Sequence, residues 1–135
     1  MRNIEYIVIH CADTYPGMDI GVKEITEWHQ ARGFDTCGYH YVIRRDGTVE
    51  KGRDEDVIGS HVRGFNSDSI GICLVGGKAH GNGNPVNYTA PQWASLDVVV
   101  HDISGRHPDA EVLGHCDLDS GKTCPNFNVK AWWGK

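Results

Sequence analysis

The chain has 135 residues and a mass of 14.9 kDa, which is about the size of one domain. Hydrophobic residues make up 39% of it and charged residues 23%, a composition that excludes a coiled coil, a collagen-like chain and a wholly disordered protein. The formal net charge of −5 argues against a protein whose main task is to coat nucleic acid.

The N-terminal region and the cysteines indicate where the chain is made. The strongly apolar run around Tyr6 to Ile9 is too short to span a bilayer, and no signal-peptide pattern precedes it. We therefore expect synthesis in the cytoplasm, without an export signal and without a membrane partner. An odd set of cysteines with no CxxC pair predicts reduced thiols, of which at least one could ligate a metal: Cys11, Cys37, Cys73, Cys116 and Cys124.

The first third of the chain predicts a strand and then a helix. The segment from Ile4 to Ala12 is rich in β-branched and aromatic residues, as expected of a buried strand that ends at His10. After a turn-rich stretch, Gly33 is a plausible stop for an amphipathic helix of about three turns. Five residues fall on one face of this helix: Val22, Ile25, Trp28, His29 and Arg32.

The middle of the chain predicts a hairpin and another buried strand. Strand-like runs from Tyr39 to Arg44 and from Thr48 to Gly52 flank an Asp-Gly pair at positions 46–47, which is a strong hairpin signal. Tyr39 is expected to open the first hairpin strand. The apolar run from Ser69 to Val75 predicts a further strand, and two glycines at 76–77 end it.

The last third predicts a longer helix, a short strand and a helical C-terminus. A loop from Lys78 to Tyr88 leads to Thr89 and Gln92, which have the spacing of a capping box. The helix continues to about Arg106 with one apolar face, made by Trp93, Leu96, Val99, Val100 and Ile103. A strand from Glu111 to Gly114 leads into His115, and one or two helical turns are expected from Phe127 to Trp133. Together these elements predict a single α/β domain over residues 1–135, with a central mixed sheet flanked by helices.

Three residues have the chemistry of a catalytic zinc site. His10 ends the first strand, and His115 and Cys124 lie nine positions apart near the C-terminus. Catalytic zinc sites use three protein ligands and leave a position for water, and two imidazoles with a thiolate fit that rule. Spacing alone is weak evidence, since each residue has an ordinary alternative: a core histidine, a surface-loop histidine and a small buried hydrophobe.

Four separated segments resemble one family. They are VIHCA, GYHYVIRRDGTVEKGR, GSHVRGFNSDSIGICLVGG and GHCDLDSGKTCPNF, and they run from about Ile4 to Trp133. In this order they resemble the type-2 N-acetylmuramoyl-L-alanine amidases, zinc enzymes related to the peptidoglycan recognition proteins, and in particular the bacteriophage T7 lysozyme type. The resemblance implies a peptidoglycan recognition protein-like fold.

The resemblance assigns roles to five residues. The family's zinc ligands fall on His10, His115 and Cys124, and the catalytic pair of the phage-type members falls on Tyr39 and Lys122. The loop from His115 to Cys124 is one residue longer than in the phage-type pattern, and the extra residue could displace Lys122 from the site. A further cysteine at 116 stands beside a ligand and could compete for metal. From the residues alone, a half-buried strand tyrosine and a solvated loop lysine would be the simpler interpretations.

The block GSHVRGFN resembles the family's substrate-groove segment. It makes His61 a candidate contact to the muramyl or peptide part, with Asn66 and Arg53 behind it. Asp68 and Ser69 are expected only to turn the chain into the next strand. The remaining histidines are assigned to no metal: His29, His40, His80, His101 and His107.

The resemblance implies a zinc-dependent lytic amidase that cleaves the bond between N-acetylmuramic acid and L-alanine in peptidoglycan. It also implies a monomer of phage or prophage origin that acts on the cell wall after release. Two alternatives remain open: a non-catalytic peptidoglycan-binding module, and an amidase that also inhibits a phage RNA polymerase. A structural-zinc protein that binds nucleic acid directly is excluded by the charge and the scattered ligands.

Overall fold

The central sheet has the strand order β3-β2-β4-β1-β5 in the computed structural model, which describes residues 2–78 and 88–134. β4 runs parallel to β2 and β1, β5 runs parallel to β1, and β3 pairs antiparallel with β2. The sheet is therefore mixed, as predicted. The elements in chain order are β1 (Tyr6–Cys11), α1 (Val22–Ala31), β2 (Tyr41–Ile43), β3 (Val49–Lys51), a 3-10 turn (Asn66–Asp68), β4 (Ser69–Leu74), α2 (Ala90–Arg106), β5 (Glu111–Gly114), α3 (His115–Leu118) and α4 (Val129–Trp133).

The two faces of the sheet are covered by different elements. Side chains alternate along β1, so that Ile7 and Ile9 face the helix α2, where they meet Leu96, Val100 and Ile103 in the main core. On the opposite face, α1 covers a second cluster that includes Ile25, Val42 and Cys73. Because His10 pairs with Cys73 across β1 and β4, it lies on this second face. The fold class expected from the sequence, an α/β domain with helices on a mixed sheet, is confirmed.

Local signals explain where the elements begin and end. Thr89 Oγ1 accepts from the Gln92 N–H at 3.2 Å, and Gln92 Oε1 accepts from the Thr89 N–H at 3.0 Å, so the predicted capping box opens α2. The hairpin turn closes with Gly47 at φ +90°, a left-handed conformation that glycine adopts without strain. Gly33, at φ +95°, follows the end of α1.

Two details differ from the sequence-based expectation. β2 begins at Tyr41, so Tyr39 lies before the strand and does not open it. The N–H groups of the neighbouring residues Gly52 and Arg53 bond to the carbonyls of His40 and Tyr39, and two successive bonds break the alternating antiparallel pattern. Trp28 is 42% exposed, because it sits at the edge of the α1 face that Ile25 and His29 bury.

The predicted loop from Lys78 to Tyr88, with His80, lies largely outside the described residues. Within the residues that are described, no helix has the length and apolar character needed to cross a bilayer. At the C-terminus, α4 packs Val129 into the main core, with Trp132 and Trp133 partly buried against it.

Candidate active site

The parallel register of β1 and β5 brings two distant histidines side by side. Ile9 of β1 is paired with Gly114, the last residue of β5, so the residues that follow them, His10 and His115, are neighbours whose ring centroids are 4.6 Å apart. The chain then returns through α3, and Cys124 joins them. One nitrogen of each histidine and the sulfur of Cys124 all lie within 4.8 Å of one another. Sites at the carboxyl ends of parallel strands are typical of open α/β sheets.

This group has donor chemistry that fits zinc. Burial, followed by the neighbouring His61 and His115, holds the pKa of His10 well below its usual range, and burial also lowers the pKa of His115. Both imidazoles are therefore neutral at pH 7, the form that ligates metal. Two imidazole nitrogens and one sulfur are ligands that zinc prefers, and a set of three leaves room for a water.

Cys124 is held by the end of β1. Its sulfur accepts a hydrogen bond from the Cys11 backbone N–H at 2.9 Å, a contact that would favour a thiolate. In the metal-free chain, the hydrogen bond with the Cys11 thiol and burial raise the pKa of Cys124, so the thiol keeps its proton. A metal ion would have to displace that proton on binding.

Tyr39 stands beside the group, on the side of α1. Its ring centroid is 5.0 Å from that of His10 and 5.4 Å from that of His29. Burial raises the pKa of Tyr39 well above 10, so at neutral pH the phenol keeps its proton and can donate a hydrogen bond.

Lys122 lies at the exposed rim, despite the longer loop. α3 takes up the first residues after His115, and the Asp119 carbonyl accepts from the Lys122 N–H at 3.0 Å, closing a turn. Lys122 lines the same cleft as the histidines and lies near enough to His115 for its charge to act on that ring. Cys116 is half-buried, and among the described residues it does not belong to the group of three that could bind a metal.

The three residues expected in the substrate groove have different surroundings. His61 lines the cleft, but both of its ring nitrogens have protein partners, at 2.8 Å to His10 Nε2 and at 3.2 Å to Ser69 Oγ. Asn66 also lines the cleft, while its Oδ1 accepts from two backbone N–H groups of the loop. Arg53 does not appear among the described cleft residues. Its guanidinium instead donates to the carbonyls of Cys37 and Ile58.

The cleft above the group is large enough for a sugar and a short peptide. Its volume is about 1040 Å³, and it is open to solvent. Two arginines, Arg32 and Arg63, share its lining with Lys122, while Asp13 and Asp119 are the carboxylates. A cleft with more cationic than anionic side chains suits a ligand that carries carboxylates.

Sequence reasoning missed two features of this site. One is the helical turn α3, which carries the ligand candidate His115 as its first residue. The other is the contact between His61 and His10, which joins residues 51 positions apart. The helical turn α3 has a weak sequence signal, which is the acidic residue Asp117 in its first turn. Asp117 Oδ2 accepts from the Gly114 N–H at 2.8 Å, as such residues do at the start of a helix. The second has no local signal.

Comparison with known proteins relates this geometry to one family. A sequence profile described as N-acetylmuramoyl-L-alanine amidase matches residues 1–127. The endolysin of Enterobacteria phage K11 is 48% identical over 125 residues, which cover 92% of this chain and 82% of that protein. The endolysin of Escherichia phage T7 is 42% identical over 134 residues, covering 99% of this chain and 88% of that one. Among solved structures, the N-acetylmuramoyl-L-alanine amidase LysC from Clostridium intestinale URNW superimposes with a TM-score of 0.82 at 30% identity, covering 98% of this chain and 87% of LysC.

Proposed function

The chain belongs to the N-acetylmuramoyl-L-alanine amidase family, and we propose that it is a zinc-dependent phage-type endolysin. Its reaction is hydrolysis of the amide bond between the lactyl carbonyl of N-acetylmuramic acid and the nitrogen of L-alanine. The observation that carries the proposal is the meeting of His10, His115 and Cys124 at the floor of an open polar cleft. A binding module without catalysis would have no need of the complete set.

Zinc is the proposed cofactor, and His10, His115 and Cys124 would hold it. When bound, it would supply Lewis acidity toward the scissile carbonyl and lower the pKa of a water toward about 7. The two histidines serve as neutral ligands, because burial lowers the pKa of each.

Two further residues act on the substrate. The Tyr39 phenol, which keeps its proton at neutral pH, donates a hydrogen bond toward the reacting carbonyl or orients the attacking water. The Lys122 ammonium, at the rim beside His115, offsets the negative charge that develops on the carbonyl oxygen. Donors aimed at developing charge contribute more in the transition state than in the ground state, so both residues raise turnover more than affinity.

The arginines of the cleft give the substrate its orientation. A muramyl peptide carries carboxylates on its stem, and Arg32 and Arg63 lie on the lining where they can bind them. In this proposal the chain is made in the cytoplasm and acts on the wall after release, as its endolysin relatives suggest.

Product analysis on purified peptidoglycan tests the proposal. The expected products are stem peptides with a free amino group on L-alanine and glycan strands with no new reducing ends, both measured by mass spectrometry. Lys122→Ala, assayed in parallel, should give the same products at a lower rate. New reducing ends, or cleavage between two residues of the stem peptide, would refute the amidase assignment.

A further inference from the structure

His61 is tied at both ring nitrogens to the interior of the site. Its Nδ1 lies 2.8 Å from His10 Nε2, and its Nε2 lies 3.2 Å from the hydroxyl of Ser69. Ser69 is fully buried and is the first residue of β4. A single imidazole therefore joins a candidate metal ligand to the interior of the sheet.

Two glycines leave room for the ring of His61, because any side chain at their positions would overlap with it. A Cβ atom on Gly71 would lie 2.7 Å from Cγ and Nδ1 of His61, and one on Gly59 would lie 2.7 Å from its Cδ2. Gly71 stands inside a fully buried strand, where glycine normally weakens the sheet unless another group must approach closely. Asn66 Oδ1 accepts hydrogen bonds from the backbone N–H groups of His61 and Val62, both at 2.9 Å. The position of the ring is fixed from several sides.

Metal binding by His10 would fix which residue donates in its hydrogen bond with His61. Because His10 Nε2 faces His61, Nδ1 is the nitrogen of His10 that remains for a metal. A neutral imidazole with a lone pair on Nδ1 carries its proton on Nε2, and that N–H donates to His61 Nδ1. His61 then carries its own proton on Nε2 and donates it to the Ser69 hydroxyl. With the opposite direction, His10 would carry its proton on Nδ1 and could not ligate there.

We propose that His61 is a positioning residue that holds His10 in its metal-binding tautomer, with Ser69 fixing the tautomer of His61 in turn. This inference rests on the zinc site of the proposed function. It assigns His61 to the support of the ligand, in place of the substrate contact expected from the sequence. Partners of this kind, which orient a ligating histidine through its second nitrogen, typically account for 10–100-fold in metal affinity.

Zinc affinity measured by competition with a chromophoric chelator tests the proposal. His61→Leu should bind zinc 10–100-fold more weakly than the unmodified chain. His61→Asn should recover part of that loss, because its amide oxygen can stand near the position of Nδ1 and accept from His10. Ser69→Ala should weaken binding by several-fold. The matched control is Ser95→Ala on α2, which also removes a bonded hydroxyl, one that donates to the Gly47 carbonyl at 2.6 Å. This variant should leave zinc affinity unchanged.

A second measurement reports the tautomer itself. In the zinc-free chain labelled with ¹⁵N-histidine, His10 should carry its proton on Nε2, and His61→Leu should give a mixture of tautomers. Gly71→Ala, which pushes the ring away from the sheet, should also weaken zinc binding.

The outcomes separate this inference from the zinc site. Unchanged zinc affinity in both Ser69→Ala and His61→Leu, with zinc bound by the unmodified chain, would overturn the positioning role alone. An unmodified chain that takes up no zinc would overturn the metal site and this role together. Should His61→Leu not fold, Ser69→Ala and the His10 tautomer in the unmodified chain decide the question.

Discussion

Replacing Cys124 with serine tests the ligand set through the stability of the folded chain. A metal that binds only the folded state adds about 1.4 kcal/mol to the free energy of unfolding for each ten-fold rise in metal above its Kd. A chain of 135 residues has an unfolding entropy of about 0.28 kcal/mol/K. The Tm of the unmodified chain should therefore rise by about 5 °C for each ten-fold increase in free zinc.

The variant should gain this stabilisation only at much higher free zinc. Serine removes the sulfur that accepts the Cys11 N–H and places a poor zinc ligand beside His10 and His115. Since changes to the partners of zinc ligands already cost 10–100-fold in affinity, loss of a ligand should cost at least about 100-fold. At equal free zinc, the Tm of Cys124→Ser should then lie about 10 °C below that of the unmodified chain, beyond any difference seen without zinc.

Thermal unfolding, monitored by circular dichroism in buffers that span four decades of free zinc concentration, measures how the Tm of each chain depends on zinc. The control is Cys116→Ser, which changes a half-buried thiol next to His115 that lies outside the ligand group. It should follow the unmodified chain. If the Tm of Cys124→Ser rose with zinc along the same line as that of the unmodified chain, Cys124 would not be a ligand.

Three further predictions follow from the geometry. Lys122→Ala should lower turnover by about 10²–10³, and Tyr39→Phe should lower turnover as well, while both variants keep their zinc. Steady-state kinetics and metal analysis measure these two properties. Near-normal turnover of Lys122→Ala would show that Lys122 has no part in the mechanism. Burial lowers the pKa of His40, whose Nδ1 accepts from the Gly71 N–H. As the pH falls through about 6.5, this histidine is therefore protonated in the unfolded chain while it stays neutral in the folded chain. The free energy of unfolding should therefore decrease between pH 7 and pH 5. Urea denaturation of His40→Asn should show a smaller decrease over the same range, and an equal decrease would show that His40 does not cause it. Asn66→Ala leaves two loop N–H groups without their acceptor and should lower the free energy of unfolding by about 2 kcal/mol. An unchanged urea midpoint in Asn66→Ala would show that water replaces the amide.

Much of the fold follows from local sequence. The apolar runs that became β1 and β4 and the Asp-Gly turn of the hairpin each carry a signal within a few residues. The order of the strands in the sheet and the break before β2 depend on pairings between distant segments, and no local pattern encodes them. The resemblance to the amidases supplied the fold, and the structure confirms it.

The three residues that meet at the candidate site were named from the sequence, but their surroundings were not. The structure brings His10, His115 and Cys124 together, while their role as zinc ligands stays a prediction. The partners of His61 and Arg53 could not be predicted, since each joins segments that only the folded chain brings into contact. The monomeric state and binding of a phage RNA polymerase also stay predictions.

Metal content measured together with activity tests the central claim most directly. Elemental analysis of the purified chain should find about one zinc per chain. Removal of that zinc by a chelator should abolish the release of stem peptides with free L-alanine, and added zinc should restore it. Full amidase activity in a chain shown by the same analysis to hold no zinc would contradict the account.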